Sequence, residues 1–385
     1  MGFVYLALAS LLLAAARFAF RPARTRRTWL VALVATELGH FWLWPALGVA
    51  ALAARETLRG GDLFAGLATG VAMLAAAGFA RPAWLAVRIA RALPAQLTAA
   101  GWRSCHQIGD KEAVPLWSWL RLWRRPFAVR RVSVRSFELE GETTLRMDCY
   151  APSGKTGTHP CVILVHGGGW DGGDRTELAT FNHWLAAHGV AVVACDYRLA
   201  PDFRWPAQRD DVRAVLHWVR ANATRLGVDP ERLTLLGRSA GAQIATATAY
   251  GAPLPGVRAV VALYGVHNLE FVWSIRSTTD SLNSDKLMRQ YLGGPPEGAR
   301  AEDYRAGSAE LLAHPDVPPT LIMHGVLDEL VWCRHSEKLA AALARVGAPH
   351  VLVRLPWATH AGEANLHGPS GQLITGAVWR VATGA

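Results

Sequence analysis

Charged side chains are scarce in this sequence: Asp, Glu, Lys and Arg make up 18% of 385 residues, while hydrophobic residues reach 51%. An ordinary soluble domain carries roughly 25% charge. The shortage is local. Residues 63–80 hold no charge at all, residues 1–20 carry only Arg17, and residues 29–53 carry only Glu37 and His40 among mostly apolar neighbours. Cysteine is sparse as well. Cys105, Cys149, Cys161, Cys195 and Cys333 are odd in number and lack CxxC or metal-ligand spacing, which argues against a disulfide framework and against a zinc site. A phosphate-cradling loop is missing too, since Gly293-Gly294-Pro295-Pro296-Glu297 has no P-loop lysine. No internal repeat is present, and no cofactor motif stands out.

What is there begins with the three apolar runs. Each is close to the ~20 residues that cross a bilayer, so about three transmembrane helices are expected in residues 1–93. The alternative is a set of buried core helices. The first run is read as an uncleaved anchor, because its positive charges follow the apolar stretch and no small-residue cleavage site closes it. Arg21, Arg24, Arg26 and Arg27 form a basic loop that the positive-inside rule places in the cytoplasm. The second run then exits and the third returns, leaving the large C-terminal part cytoplasmic. Arg55 and Arg59, in the outer loop, run against this order. Residues 1–131 hold 17 Lys and Arg against 5 Asp and Glu, a balance of +12, whereas the remainder has 23 against 25. The basic excess therefore belongs to the membrane part, which points to anionic lipid headgroups as partner and not to nucleic acid.

Residues 94–131 are a Trp/Arg-rich juxtamembrane linker. Trp102, Trp117, Trp119 and Trp123 alternate with Arg121, Arg124, Arg125, Arg130 and Arg131, punctuated by Pro115 and Pro126. Such a mixture suits the headgroup zone; a short helix packed on the catalytic part is the equal alternative.

From residue 132 to 385 the pattern changes. Residues 132–139 and 143–150 alternate apolar and polar side chains around Glu140-Gly141-Glu142, an antiparallel hairpin. Apolar strands follow at 161–165, 190–196, 233–236, 259–264, 320–324 and 350–355. Helical spacing appears at 177–188, 211–224, 240–250, 336–346 and 373–382. Strands alternating with helices call for an α/β fold with a mostly parallel sheet. Residues 266–313 form an insertion without strand signal, a candidate lid or substrate wall.

Two glycine-rich stretches carry chemistry. Gly237-Arg238-Ser239-Ala240-Gly241 matches G-x-S-x-G, between a strand and a helix, where a serine is lifted clear of the sheet. His166-Gly167-Gly168-Gly169-Trp170 follows the 161–165 strand and lets backbone N–H groups face developing negative charge. The bland reading of the second is a flexible turn.

Together with Asp196-Tyr197-Arg198-Leu199-Ala200-Pro201, these stretches resemble the hormone-sensitive-lipase-like carboxylesterase and lipase branch of the α/β-hydrolase superfamily, over residues 132–385. The resemblance implies backbone oxyanion donors at Gly168, Gly169 and Ala240, with His166 supporting their loop. It implies the order nucleophile, acid, histidine. Asp328, in His324-Gly325-Val326-Leu327-Asp328, stands at the acid position, with Glu329 as fallback. His360 follows the last strand, with His314 and His324 as rivals. His188, His217, His335 and His367 are read as surface or packing residues, and Asp210 and Asp211 as capping a helix start. Two departures stand out: Arg238 replaces the frequent acidic residue before the serine, and Gly241-Ala242 replaces a double glycine.

The expected activity is that of a membrane-anchored serine hydrolase acting on carboxylic esters, small or lipid-like. Ser239 attacks, His360 shuttles the proton, and Asp328 orients His360. Trp170, Tyr264, Phe271 and Trp273 are candidates for an apolar acyl pocket. Deacylation of amides or formamides, acyl transfer, and non-catalytic binding on the same fold are the alternatives. A transporter is disfavoured, because only Glu37 and His40 are ionisable in the second run.

Overall fold

The computed structural model describes residues 1–60, 63–102, 114–125, 128–141, 143–152 and 157–384; Cys105, Pro126 and Glu142 lie outside them. Eight strands form one sheet: β1 (Val134–Leu139), β2 (Leu145–Tyr150), β3 (His159–Val165), β4 (Ala191–Cys195), β5 (Val228–Arg238), β6 (Val257–Leu263), β7 (Thr320–Gly325) and β8 (His350–Leu355), in the order β1-β2-β4-β3-β5-β6-β7-β8. β1 and β2 pair antiparallel, as does β2 with β4, and the rest are parallel. Each expected strand is present. β3, β4 and β7 are buried at every residue, which is why they read as apolar runs without alternation.

Helices cover both faces. α5 (Ala179–Ala187) and α12 (Pro369–Gly384) join one core with Val162, Leu164 and Leu321, while α6 (Ala207–Ala221), α7 (Ala240–Gly251) and α11 (Arg334–Arg345) join the other with Ile163 and Leu235. The insertion folds into α8 (Leu269–Ile275), α9 (Ser284–Leu292) and α10 (Arg300–Ala306), without a strand.

The N-terminal part consists of α1 (Gly2–Ala16), α2 (Arg26–Glu37), α3 (Gly39–Leu58) and α4 (Leu63–Ala99). α1, α3 and the first half of α4 pack as a bundle. Phe3 meets Phe64 at 6.3 Å at one end, and Ala16 meets Gly78 at the other, so α1 and α4 run parallel with α3 returning between them. The bundle is sorted by size: Ala9, Ala50 and Ala72 are buried at its centre, whereas Phe3, Leu11, Met73 and Leu74 are more than half exposed. Two helices, Gly2–Ala19 and Leu63–Ala99, are long and apolar enough to cross a membrane.

The run at 29–53 is not one straight helix. It bends by 81° between α2 and α3. Gly39 packs against the Phe79 backbone at a distance that leaves no room for a Cβ, which fixes the bend. α2 bridges the two parts: Ala32 and Ala35 pack with Ala16, Ala46 and Phe79 of the bundle, while Glu37 is buried against Ser370 of the hydrolase unit. α4, in turn, runs on past residue 93, and its second half places Ala86, Leu93 and Leu97 in the hydrolase core. The Trp/Arg segment divides by face. Arg121 and Leu122 are buried and Arg121 donates to the Leu366 carbonyl at 3.0 Å, while Trp119, Leu120 and Trp123 are at least half exposed.

Candidate active site

β5 ends at Arg238 and α7 begins at Ala240, leaving Ser239 alone on the turn with φ 52° and ψ −121°. A non-glycine residue in that region is strained. Gly241 relieves the crowding behind it, because a Cβ there would collide with the Val165 and His166 backbone. The turn thus brings the start of α7 against the end of β3.

Asp328 follows β7 and His360 follows β8, so all three side chains gather at the carboxyl ends of parallel strands. Ser239 Oγ lies 3.1 Å from His360 Nε2, and His360 Nδ1 lies 2.6 Å from Asp328 Oδ2. Asp328 Oδ1 also accepts from the backbone N–H groups of Leu330 (2.9 Å) and Val331 (3.0 Å). Burial pushes the Asp328 carboxyl up, but the His360 imidazole and the hydrogen bonds from His324 and His360 outweigh it and hold the group well below the usual carboxylate range. An ionised carboxylate only accepts, so Nδ1 of His360 donates to it and Nε2 is left to take the serine proton.

The rival histidines sit elsewhere. His324 is wholly buried behind Asp328, 2.7 Å from Ser336 Oγ and 2.8 Å from the Val331 carbonyl. His314 lies in a loop, against the Asp316 N–H. Glu329 is exposed at the pocket rim. His166 supports the Gly-rich loop: its Nδ1 is 2.7 Å from the Gly167 carbonyl and its ring stacks on Tyr197 at 4.1 Å.

Beside Ser239 opens a cavity of about 180 Å³ lined by Gly169, Trp170, Ala240, Val266, Val272, Ile275, Leu287, Met288 and His335, among others. Gly169 and Ala240 therefore border the serine, with Gly168 one residue behind at φ 104°. Trp170 lines the cavity, while Phe271, Trp273, Tyr264, His335 and Asp211 sit differently from their expected places. Phe271 and Trp273 do not line it. α8 turns Val272 and Ile275, three apart, toward the cavity, so Phe271 faces His335 and Trp273 stacks under Arg276, 3.6 Å away. Tyr264 is buried behind His360 instead, with ring centroids 4.5 Å apart. His335, read as a packing or surface residue, lines the cavity from α11. Asp211 does not cap a helix. It is buried and pairs with Arg198 at 2.8 Å.

Arg238 stands next to the nucleophile in a buried polar cluster. Its Nη1 pairs with Glu177 at 3.0 Å and its Nε with Glu363 at 3.2 Å, while Nε also donates to Tyr264 Oη at 2.9 Å. Tyr264 Oη donates in turn to Glu363. The sequence marks Arg238 as atypical but gives no sign of Glu363, which lies 125 residues downstream.

The profile of the BD-FAE family matches residues 147–343. Esterase LipQ of Mycobacterium tuberculosis (strain ATCC 25618 / H37Rv) is 31% identical over 219 residues, covering 52% of this chain and 50% of that protein. Isoprenylcysteine alpha-carbonyl methylesterase ICME of Arabidopsis thaliana is 28% identical over 237 residues, covering 56% of this chain and 53% of its own. This chain thus spans about half the length of such relatives. Among solved structures, a hyperthermophilic esterase from the archaeon Pyrobaculum calidifontis superposes with a TM-score of 0.59 at 25% identity, over 66% of this chain and 86% of its own. The shared sheet and helix arrangement is the α/β-hydrolase fold.

Proposed function

The chain belongs to the BD-FAE family, and from that premise we propose that it is a membrane-anchored serine carboxylesterase. The observation that carries the reading is the unbroken relay Ser239–His360–Asp328, opening on an apolar cavity. His360 takes the Ser239 proton as Oγ adds to an ester carbonyl. The tetrahedral oxyanion is met by backbone N–H groups of Gly169 and Ala240, with Gly168 completing the loop. His360 then protonates the departing alkoxide, leaving an acyl-enzyme that water resolves by the same route in reverse. Asp328 holds the imidazole tautomer and stabilises the imidazolium.

The cavity wall of Val266, Val272, Ile275, Leu287 and Met288 suits an aliphatic acyl or alcohol group. The esterases named above support ester bonds as the substrate class.

The anchor is the N-terminal bundle, residues 1–93, joined through residues 94–131 to the catalytic domain of residues 132–385. Three packed helices, alternating in direction along the chain, with small side chains inward and large apolar ones outward suit lipid, where close approach of backbones drives association. The second crossing is α3, whose 20 residues span about 30 Å. Arg81 donates to the Ala19 carbonyl and the Arg24 carbonyl meets Ser281, so basic residues stand at the hydrolase end, which supports a reading with the active site on the cytoplasmic face.

The test is turnover of p-nitrophenyl esters of graded chain length by the full chain in detergent. Ser239→Ala is expected to lower kcat by at least ~10³-fold. Equal rates in the two proteins would sink the mechanism. A C-terminal reporter signalling from the non-cytoplasmic side would overturn the topology.

A further inference from the structure

His360 sits at the head of a loop, residues 360–369, that makes its turn at Ala361 in a left-handed conformation (φ 62°). Asp328 holds the imidazole itself, and beyond the sheet two clamps hold the loop that carries it. From the elbow side, Arg238 and Tyr264 hold Glu363, three residues beyond His360, in a fully buried position. From the opposite side comes α2. Trp29 Nε1 donates to the His360 backbone carbonyl at 3.2 Å. Glu37 takes the Ser370 N–H at 2.9 Å and the Ser370 hydroxyl at 2.5 Å, and its own carbonyl accepts from Asn365 Nδ2 at 3.0 Å. Gly368 packs directly on Glu37, and Gly362 on Ser370 beside it.

We infer that α2 is a positioning element for the catalytic histidine: Trp29 and Glu37, from the N-terminal helical region, fix the loop that aims His360 at Ser239. α2 belongs to the N-terminal helices and not to the sheet-and-helix unit that carries Ser239, Asp328 and His360, so this clamp reaches the hydrolase unit from the N-terminal region. The inference rests on the proposed roles of Ser239 and His360. Neither Trp29 nor Glu37 touches the reacting atoms. Their effect passes through the placement of Nε2, and a proton transfer depends steeply on that placement.

The experiment compares full-length wild type, Trp29→Phe, Glu37→Gln and Trp44→Phe in detergent. Two rates are read: ester turnover, and covalent labelling of Ser239 by a fluorophosphonate. Trp29→Phe keeps the ring and loses only the N–H. It is expected to lower kcat and the labelling rate together, by about tenfold, with KM held within about twofold. Its melting temperature should stay within about 2 °C of wild type. Glu37→Gln should fall in the same direction. Trp44, exposed on α3, serves as the control and should change neither rate. Labelling of Trp29→Phe and Glu37→Gln at the wild-type rate would overturn the positioning role. So would a fall in rate that only matches lost folded protein. Labelling without any ester turnover in the wild type would instead overturn the ester reading and leave the labelling comparison to decide the role of α2.

Discussion

Arg238 is the residue that most separates this site from the pattern its motifs resemble. A buried arginine is tolerable only when paired, and Glu177 and Glu363 supply the pairing. Removing the cation alone leaves the Glu363 carboxyl enclosed without its ionic partner. Arg238→Met is therefore expected to destabilise the protein by about 3–5 kcal/mol, and Arg238→Met with Glu363→Leu to recover most of that loss. Denaturant unfolding of both variants beside wild type would show it; a double variant no more stable than the single one would contradict the pairing argument. His335 makes a second residue-scale prediction. Burial, helped by His324 and Lys338, pushes its imidazole down to about 3. The unfolded chain, at about 6.5, binds that proton first. Its contribution to stability is thus fully present above about pH 6.5 and lost as pH falls toward about 3. His335→Gln should flatten the acid decline of stability within that window, measured by unfolding at a series of pH values. Ser239, Asp328 and His360 were legible because each follows a strand end in a fixed order. Glu363 and Trp29 were not. Trp29 meets His360 across 331 positions of chain, and no periodicity or spacing encodes such a contact.

At the scale of elements, strands were easier to read than surfaces. Buried parallel strands leave apolar runs, and every strand end fell within a few residues of its expected place, the longest extension being the start of β5 at Val228. Which side chain of a helix faces a cavity depends on phase, and one position along α8 turns it by about 100°. That is why Phe271 and Trp273, the bulky residues, point away while Val272 and Ile275 face the cavity. The bend between α2 and α3 was hidden for a similar reason: Gly39 looks like any small residue in an apolar run until Phe79 is packed against it. α9 supplies the opposite wall of the cavity through Leu287 and Met288. Leu287→Trp is expected to fill it, sparing acetate esters while cutting kcat/KM for longer acyl chains about tenfold or more. A uniform loss across chain lengths would place the acyl group elsewhere.

For the whole molecule, the N-terminal helices and the hydrolase unit are interlocked and not merely tethered. α4 contributes to both cores and α2 reaches the loop of His360. The bundle itself depends on small residues at its axis. Ala72→Phe, at a fully buried position, should cost about 1–3 kcal/mol through overpacking, whereas Leu74→Phe, facing outward, should be neutral. Thermal unfolding in detergent distinguishes them, and equal melting points would argue that the bundle is not packed as described.

The lip of the cavity touches the N-terminal region as well. Ser281 Oγ, on the segment leading into α9, donates to the Arg24 carbonyl at 3.4 Å, and Ser281 and Leu282 both line the cavity. With the proposed anchoring, that contact fixes the entrance at the height of the basic loop, against the headgroups. On that proposal an ester dissolved in the leaflet would reach Ser239 by lateral diffusion. Its rate would be governed by the number of ester molecules per unit of bilayer area, and diluting them with inert lipid would slow the reaction even when the amount per millilitre is unchanged.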